Sequence, residues 1–321
     1  MMRAIVVREY GGPKVLVDRE IGIPDVGPGR ILIRLMSAGV NPVDAYMREG
    51  SNGYEPILPF TPGMAGAGII EDVGEGVIGY ELKERVYVIN SVSGTYAEYC
   101  ICSPDQIFPL PTEIGWTEAA CLGVPYFTAA RALFTKGRII GDDSVLIHGA
   151  SGSVGLACLQ LLAGKASRVF GTAGSDAGMK LVLENGADAC FNHNDAGHCE
   201  KIKKASGGVD LVVEMLADVN LKKDIAALSP GARIVVVGSR GRIDFSPRDL
   251  MGGEHTLIGL KITQASLEEK ISYAKLIEEG IERGQIKPPI RAAFALEDAY
   301  RAHKALMESP STGSIVLVFN N

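Results

Sequence analysis

The sequence predicts an α/β protein in two parts, a mainly β unit followed by a doubly wound parallel sheet. Three observations carry that prediction. Up to about residue 125 the chain consists of short β-rich runs separated by Gly, Pro and Asp. From Gly123 onward, strand-like and helix-like runs alternate, the pattern of a parallel sheet covered by helices on both faces. The length of 321 residues exceeds one ordinary domain and suits two, and a hydrophobic content of 46% allows a sizeable core.

Taken in order, "RAIVV" opens the first part as a strand and "RILIRLMSAGV" is a longer one. "AGAGIIEDVG", "RVYVI" and "TYAEYCIC" follow with the alternation of half-buried strands. "VPYFTAARALF" then has helical spacing. In the second part "SVLIHG", "RVFGTAG", "ACF", "VDLVVEM", "ARIVVVG" and "HTLIGL" read as strands. Helices are expected at 152–164, 176–185, 196–205 and 219–228. The tail is mixed, with helices near 266–283 and 297–308 and a last strand in "GSIVLVF".

The formal net charge of −6, with a pI near 5.5, argues against general binding to nucleic acid or anionic membranes. The tight basic run "KIKK" at 201–204 is explained by a solvated helix face. There is no apolar run of transmembrane length, and the first residues lack a signal core, so a cytoplasmic location is expected. Cysteines at 100, 102, 121, 158, 190 and 199 fit neither a disulfide framework nor a zinc finger, and reduced structural thiols are expected. "HNDAGHC" at 193–199 reads as a surface loop, and the five histidines show no ligand spacing with the cysteines.

The most informative stretch is "SVLIHGASGSVGLACLQLLA", a strand, a tight turn and a helix. In the G-x-G-x-x-G register the three positions are Ala150, Gly152 and Gly155. Gly152 lets backbone approach a pyrophosphate, Gly155 lets the helix pack close to the strand, and the helix N-terminus offers free N–H groups. At the head of a sustained strand–helix alternation this turn predicts dinucleotide binding. An NAD site places a carboxylate about twenty residues on, at the end of the second strand. Here that strand ends in Gly171, Thr172, Ala173 and Gly174, which leaves room for a 2′-phosphate. Lys180, one turn into the next helix, is a candidate partner for it, and Asp176 is the competing candidate for a ribose. NADPH is therefore expected over NADH.

"GVNPVDAYMREG", "PFTPGMAGAG", "GVPYFTAARAL", "HGASGSVGLA", "GTAGSDAGMKLVLENGAD", "VEMLADVNLKKD" and "VVVGSRG" closely resemble the zeta-crystallin type of NADPH:quinone oxidoreductase, in the medium-chain dehydrogenase/reductase superfamily. The resemblance runs in order along nearly the whole chain. It implies a GroES-like β domain over 1–125 and 266–321 with a Rossmann domain inserted at 126–265. It implies cofactor contacts from Ser151, Gly152, Ser153 and Val154 at the pyrophosphate, and from Gly174, Lys180 and His193 around the adenosine phosphate. Asn220, then Val237, Gly238, Ser239 and Arg240, then Leu260, Lys261 and Ile262, are implied as the rest of the cofactor lining. Asn41 and Tyr46 are implied near the nicotinamide and the substrate. Family members often carry a tyrosine shortly after Tyr46, whereas here Tyr54 comes two residues later.

Zinc alcohol dehydrogenases of the same superfamily hold a catalytic zinc on three protein ligands. The matching slots here are Asn41, Met64 and Leu122, none of which is a normal zinc ligand. No metal is expected at that site. Without a metal to hold an alkoxide, reduction of an electron-poor acceptor fits better than alcohol oxidation. A quinone is the expected substrate, with a conjugated enone or alkenal as the alternative. Tyr46 is expected to hydrogen-bond the substrate carbonyl and Asn41 to position it. A homodimer, with a tetramer as the alternative, is expected through the apolar edge strand "HTLIGLKI". Relatives that serve as lens proteins or bind AU-rich RNA suggest a non-enzymatic role, to which the acidic pI and the lack of an Arg–aromatic cluster lend little support.

Overall fold

The computed structural model describes residues 1–308 and 312–319. The chain divides into two compact units, one of Met1–Val124 with most of the chain from Lys270 onward, the other of Pro125–Glu269.

The first unit contains β1 (Met2–Val6), β2 (Val17–Ile21), β3 (Ile31–Val40), α1 (Pro42–Glu49), β4 (Ala65–Val73), β5 (Arg85–Ile89), β6 (Tyr99–Cys102), β7 (Ile107–Pro109) and α2 (Trp116–Ala119). β3 is buried on both faces. Ile31, Ile33 and Leu35 enter one apolar cluster, Ala38 and Val40 another, as the two-residue period of a strand requires. Of "TYAEYCIC" only the last four residues form a strand. Cys100 and Cys102 point to one buried face, with their sulfurs 3.8 Å apart. β2 and α1 were not anticipated, although Asn41 followed by Pro42 and Asp44 is a helix-start signature.

The second unit begins with α3 (Phe127–Ala130), flanked by π turns at Leu122–Tyr126 and Arg131–Lys136. It continues with β8 (Ser144–Ile147), α4 (Ser153–Leu162), β9 (Arg168–Ala173), α5 (Asp176–Glu184), β10 (Ala189–Asn192) and α6 (His198–Ser206). β11 (Val209–Glu214), α7 (Ala217–Asp224), β12 (Leu228–Val236), α8 (Arg248–Met251) and β13 (Thr256–Gly259) follow. The helix expected at 219–228 is therefore shorter and starts earlier, with a 3₁₀ turn at Ile225–Ala227. All six strands are parallel in the order β10-β9-β8-β11-β12-β13. Counted within the sheet this is 3-2-1-4-5-6, so the winding reverses between β8 and β11 and leaves the ligand crevice of a doubly wound fold there. Leu146, Phe170, Val212 and Ile234 from neighbouring strands pack with Ile202 of α6 and Leu221 of α7 in one buried cluster.

After α9 (Leu267–Glu282), β14 (Ile290–Ala295), α10 (Ala299–Glu308) and β15 (Ser314–Val318) return to the first unit. β15 pairs antiparallel with β3, completing the sheet β14-β15-β3-β4-β5-β7, with β6 also on β3. No helix among the described residues is long and apolar enough to cross a membrane.

Gly155 sits in the first turn of α4, where a Cβ would lie 2.5 Å from Ala150 Cα and 2.7 Å from two backbone oxygens. Backbone cannot yield as a flexible side chain would. Gly155→Ala is therefore expected to cost about 1–3 kcal/mol, as overpacking does, read as a lower urea midpoint at unchanged slope.

Candidate functional site

The turn after β8 is held by hydrogen bonds that leave the helix start open. The His148 N–H bonds Val213 O of β11 at 3.0 Å. The Gly149 N–H bonds Thr172 Oγ1 at 3.1 Å, and the Ala150 N–H bonds Thr172 O at 2.8 Å. Gly149 has φ +57°, a left-handed conformation that side chains disfavour. Gly152 stands at the N-cap of α4 and brings no side-chain cap bond, and the first N–H groups of a helix have no intrahelical acceptors. Ser151 is buried, and Gly152, Ser153 and Val154 are half-buried.

At the end of β9, Gly174 is exposed, and Ser175 caps α5 by accepting from Gly178 N at 3.2 Å. His193, just past β10, stands against Gly174, so a Cβ there would lie 2.6 Å from His193 Nε2. The structure thus brings Gly174 and His193 together. Lys180 is exposed on α5, and its recorded partner is Glu184 at 3.8 Å.

Glu214, at the end of β11, organises the next group. Its carbonyl accepts from Val237 N at 2.8 Å and Gly238 N at 3.2 Å, and its carboxylate accepts from Leu216 N and from Asn220 Nδ2 at 3.2 Å. Asp218 Oδ1 accepts from Arg240 N at 2.8 Å and from Ser239 Oγ at 3.2 Å, and these bonds hold its carboxyl below the usual range. Leu260 N bonds Val236 O at 3.0 Å, Lys261 is exposed and Ile262 is half-buried. Sequence reasoning named Asn220, Val237, Gly238, Ser239 and Arg240 and missed the two carboxylates that place them. The available signal was a glutamate closing the apolar run "VDLVVE".

The reading of 193–199 as a surface loop holds for the exposed turns at 193–197 and is corrected at its last two residues. His198 and Cys199 begin α6 and are buried, at 3% and 2% exposure, because the amphipathic helix turns this end onto the sheet. Histidine and cysteine also meet in space although no spacing announced it. His148, Cys199 and Asp224 lie in one buried group. Burial lowers the His148 pKa, but Asp224 at 2.9 Å and Glu214 at 3.8 Å outweigh it and leave it raised.

In the first unit Asn41 is the N-cap of α1. Its N–H bonds Asp44 Oδ2 at 2.8 Å, and its amide reaches Gly39 O at 3.4 Å. Tyr46 is half-buried, with its ring 6.3 Å from that of Tyr54, so the displaced tyrosine lands beside it. Met64 donates its N–H to Asp44 Oδ1 at 3.1 Å, and Leu122 is fully buried. Beneath α1, Arg48 Nη1 is 3.3 Å from His303 Nδ1, and His303 Nε2 is 3.0 Å from the Tyr96 hydroxyl, which bonds Asp44 Oδ2 at 3.4 Å. Arginine only donates, so Nδ1 accepts and the proton sits on Nε2. Burial pushes Asp44 up to about 7 against the pull of its donors. Burial and the Arg48 charge take His303 down to about 3.

The profile of the alcohol dehydrogenase GroES-like domain matches residues 27–112, and that of the zinc-binding dehydrogenases matches residues 153–279. A mouse quinone oxidoreductase is 45% identical, covering 99% of this chain and 98% of its own. The human one is 42% identical over the same shares. The crystal structure of Escherichia coli quinone oxidoreductase complexed with NADPH superposes with a TM-score of 0.90 at 26% identity, covering 98% of this chain and 99% of that one.

Asp44 and His303 have opposite effects on acid stability. Between about pH 4 and 7 folded Asp44 keeps a proton that the unfolded chain has lost, so its contribution falls as pH rises. Below about 6.5 the unfolded chain gains a proton that His303 refuses, so that contribution falls as pH drops. Each slope approaches ~1.4 kcal/mol per pH unit. Relative to the parent, Asp44→Asn is expected to lose stability on acidification from pH 6.5 to 4.5 and His303→Gln to gain it. Urea unfolding across that range checks this, and slopes of the same sign would contradict it.

Proposed function

The chain belongs to the quinone oxidoreductase family of the medium-chain dehydrogenase/reductase superfamily, and we infer that it reduces quinones with NADPH without a catalytic metal. The observation that carries this reading is the open glycine turn at the switch point of a 3-2-1-4-5-6 sheet whose second strand ends without a carboxylate. These residues fit the cofactor. Backbone N–H groups at the start of α4 meet a pyrophosphate, Gly149 and Gly152 let it approach, and neutral Gly174 with exposed His193 leaves room for an adenosine phosphate. When bound, NADPH supplies hydride to an acceptor whose own carbonyls spread the negative charge.

The remaining work falls to this chain. Lys180 turns from Glu184 to the 2′-phosphate. Both side chains are more than half exposed, so that pair is weak and costs little to break. Asn220, Val237, Gly238, Ser239, Arg240, Leu260, Lys261 and Ile262 line the cofactor. Tyr46 donates its hydroxyl to the substrate carbonyl, Asn41 positions it, and Tyr54 packs the ring of Tyr46. Asn41, Met64 and Leu122 offer an amide, a thioether and an alkyl group where a zinc enzyme needs ligands, so the reaction proceeds without zinc there. The reading extends to a cytoplasmic homodimer joined through β13, an edge strand with Thr256 and Leu257 exposed.

NADPH oxidation against a panel of quinones and enones tests the function, and activity confined to enones would replace quinone by enone reduction. Lys180→Ala is expected to raise the KM for NADPH by ~10–100-fold, the worth of a charge-assisted hydrogen bond, and to leave NADH unchanged. Equal constants for both cofactors in the parent would contradict the NADPH preference. Leu257→Asp is expected to convert the dimer to the 34.0 kDa monomer by light scattering. A parent that is already monomeric at micromolar concentration would contradict the dimer.

A further inference from the structure

Behind the glycine turn, at the carboxyl ends of β8 and β11, lies a buried polar cluster in which Glu214 alone also supports the proposed cofactor lining. His148 is 1% exposed, Glu214 and Asp224 are 0%, and Cys199 is 2%. His148 Nε2, His198 Nε2, Glu214 Oε2 and both Asp224 oxygens make no hydrogen bond. His148 Nε2 and Asp224 Oδ1 stand 2.9 Å apart as an ion pair. One ligand atom each from His148, Cys199 and Asp224 lies within 4.8 Å of the others. Glu214 Oε2 is 3.8 Å from His148 Nε2. Buried polar atoms without hydrogen bonds cost free energy each, and here those of His148 and Asp224 lie beside one thiol.

We propose that this cluster is a binding site for a divalent cation of the zinc type, held by His148 Nε2, Cys199 Sγ and Asp224, with Glu214 Oε2 standing beside His148. The donor set of imidazole, thiolate and carboxylate suits zinc or cobalt and not magnesium or calcium. Ligands 2.0–2.3 Å from a tetrahedral zinc lie roughly 3.3–3.8 Å from one another, so shifts of about 1 Å close the set of His148, Cys199 and Asp224.

The supporting contacts are already in place. His148 Nδ1 lies 3.2 Å from Thr172 Oγ1, which leaves Nε2 toward the cation. Glu214 Oε1 is taken by Leu216 N and Asn220 Nδ2, and Oε2 stays open. On binding, the Cys199 S–H bond breaks and His148 Nε2 gives up any proton it carries; the sulfur and the imidazole nitrogen bond the metal and the released protons leave to solvent. The cation then ties β8, α6, β11 and α7 together beneath the turn, in a different unit from the slots at Asn41, Met64 and Leu122. The site is structural, and it stands whether or not the quinone reading holds.

Cobalt titration of the full-length protein, stripped first with a chelator, tests it. The expected result is one Co²⁺ per chain, with thiolate-to-cobalt charge-transfer and tetrahedral visible bands that Zn²⁺ abolishes. Cys199→Ser should lose the charge-transfer band. Asp224→Asn should weaken binding by more than the ~10–100-fold typical of an outer-shell partner. Cys158→Ser, at a buried thiol outside the cluster, should keep the bands. The unmodified protein supplies a readout that needs no variant: chelation lowers its melting temperature and one equivalent of Zn²⁺ restores it. Absence of the bands in the parent, or their survival in Cys199→Ser, would overturn the proposal.

Discussion

Ala150 and Gly155 approach so closely that no side-chain carbon fits between them, and the geometry of the second unit depends on that contact. It presses α4 against the end of β8 and aims the first turn of the helix at the switch point of the sheet. α4 is apolar nearly all round, with Leu156, Leu159, Leu161 and Leu162 buried, so packing fixes its axis. The uncapped N–H groups and the positive end of the helix dipole then face the crevice without rearrangement. An anion placed there meets donors that folding has already oriented.

That arrangement needs polar support from below, where the sheet stops being apolar. Glu214 is fully buried, which is costly for a carboxylate, and burial pushes it up to about 7. In return one residue holds Leu216, Asn220, Val237 and Gly238. Thr172 does the same for Gly149 and His148. Stability is spent at the carboxyl ends of the strands because loops leave there, and loops have no ladder partners of their own.

The β unit solves a similar problem with Asp44. Its carboxyl gathers the N–H groups of Asn41 and Met64 and the Tyr96 hydroxyl, and so sets the start of α1, from which Tyr46 projects. His303, from α10 near the other end of the chain, closes the network through Tyr96 and Arg48. Neutral His303 is the form that burial beside a guanidinium favours. The positions of Asn41 and Tyr46 thus depend on Asp44, Tyr96, Arg48 and His303.

By itself the sequence determined what is local. Strand–helix alternation, the glycine turn, the neutral end of β9 and the edge character of β13 are all legible within short windows, because periodicity and turn chemistry act over a few residues. Helix α1 was legible too, in Asn41, Pro42 and Asp44, but it was hidden inside a run of strands. Tertiary structure alone decided which distant residues meet: Tyr54 beside Tyr46, His303 beneath Asp44, and Cys199 beside His148 and Asp224. Those meetings follow from the order of strands in the sheet and from the face each helix turns inward. Both are set by how the whole core packs, and no spacing along the chain encodes them.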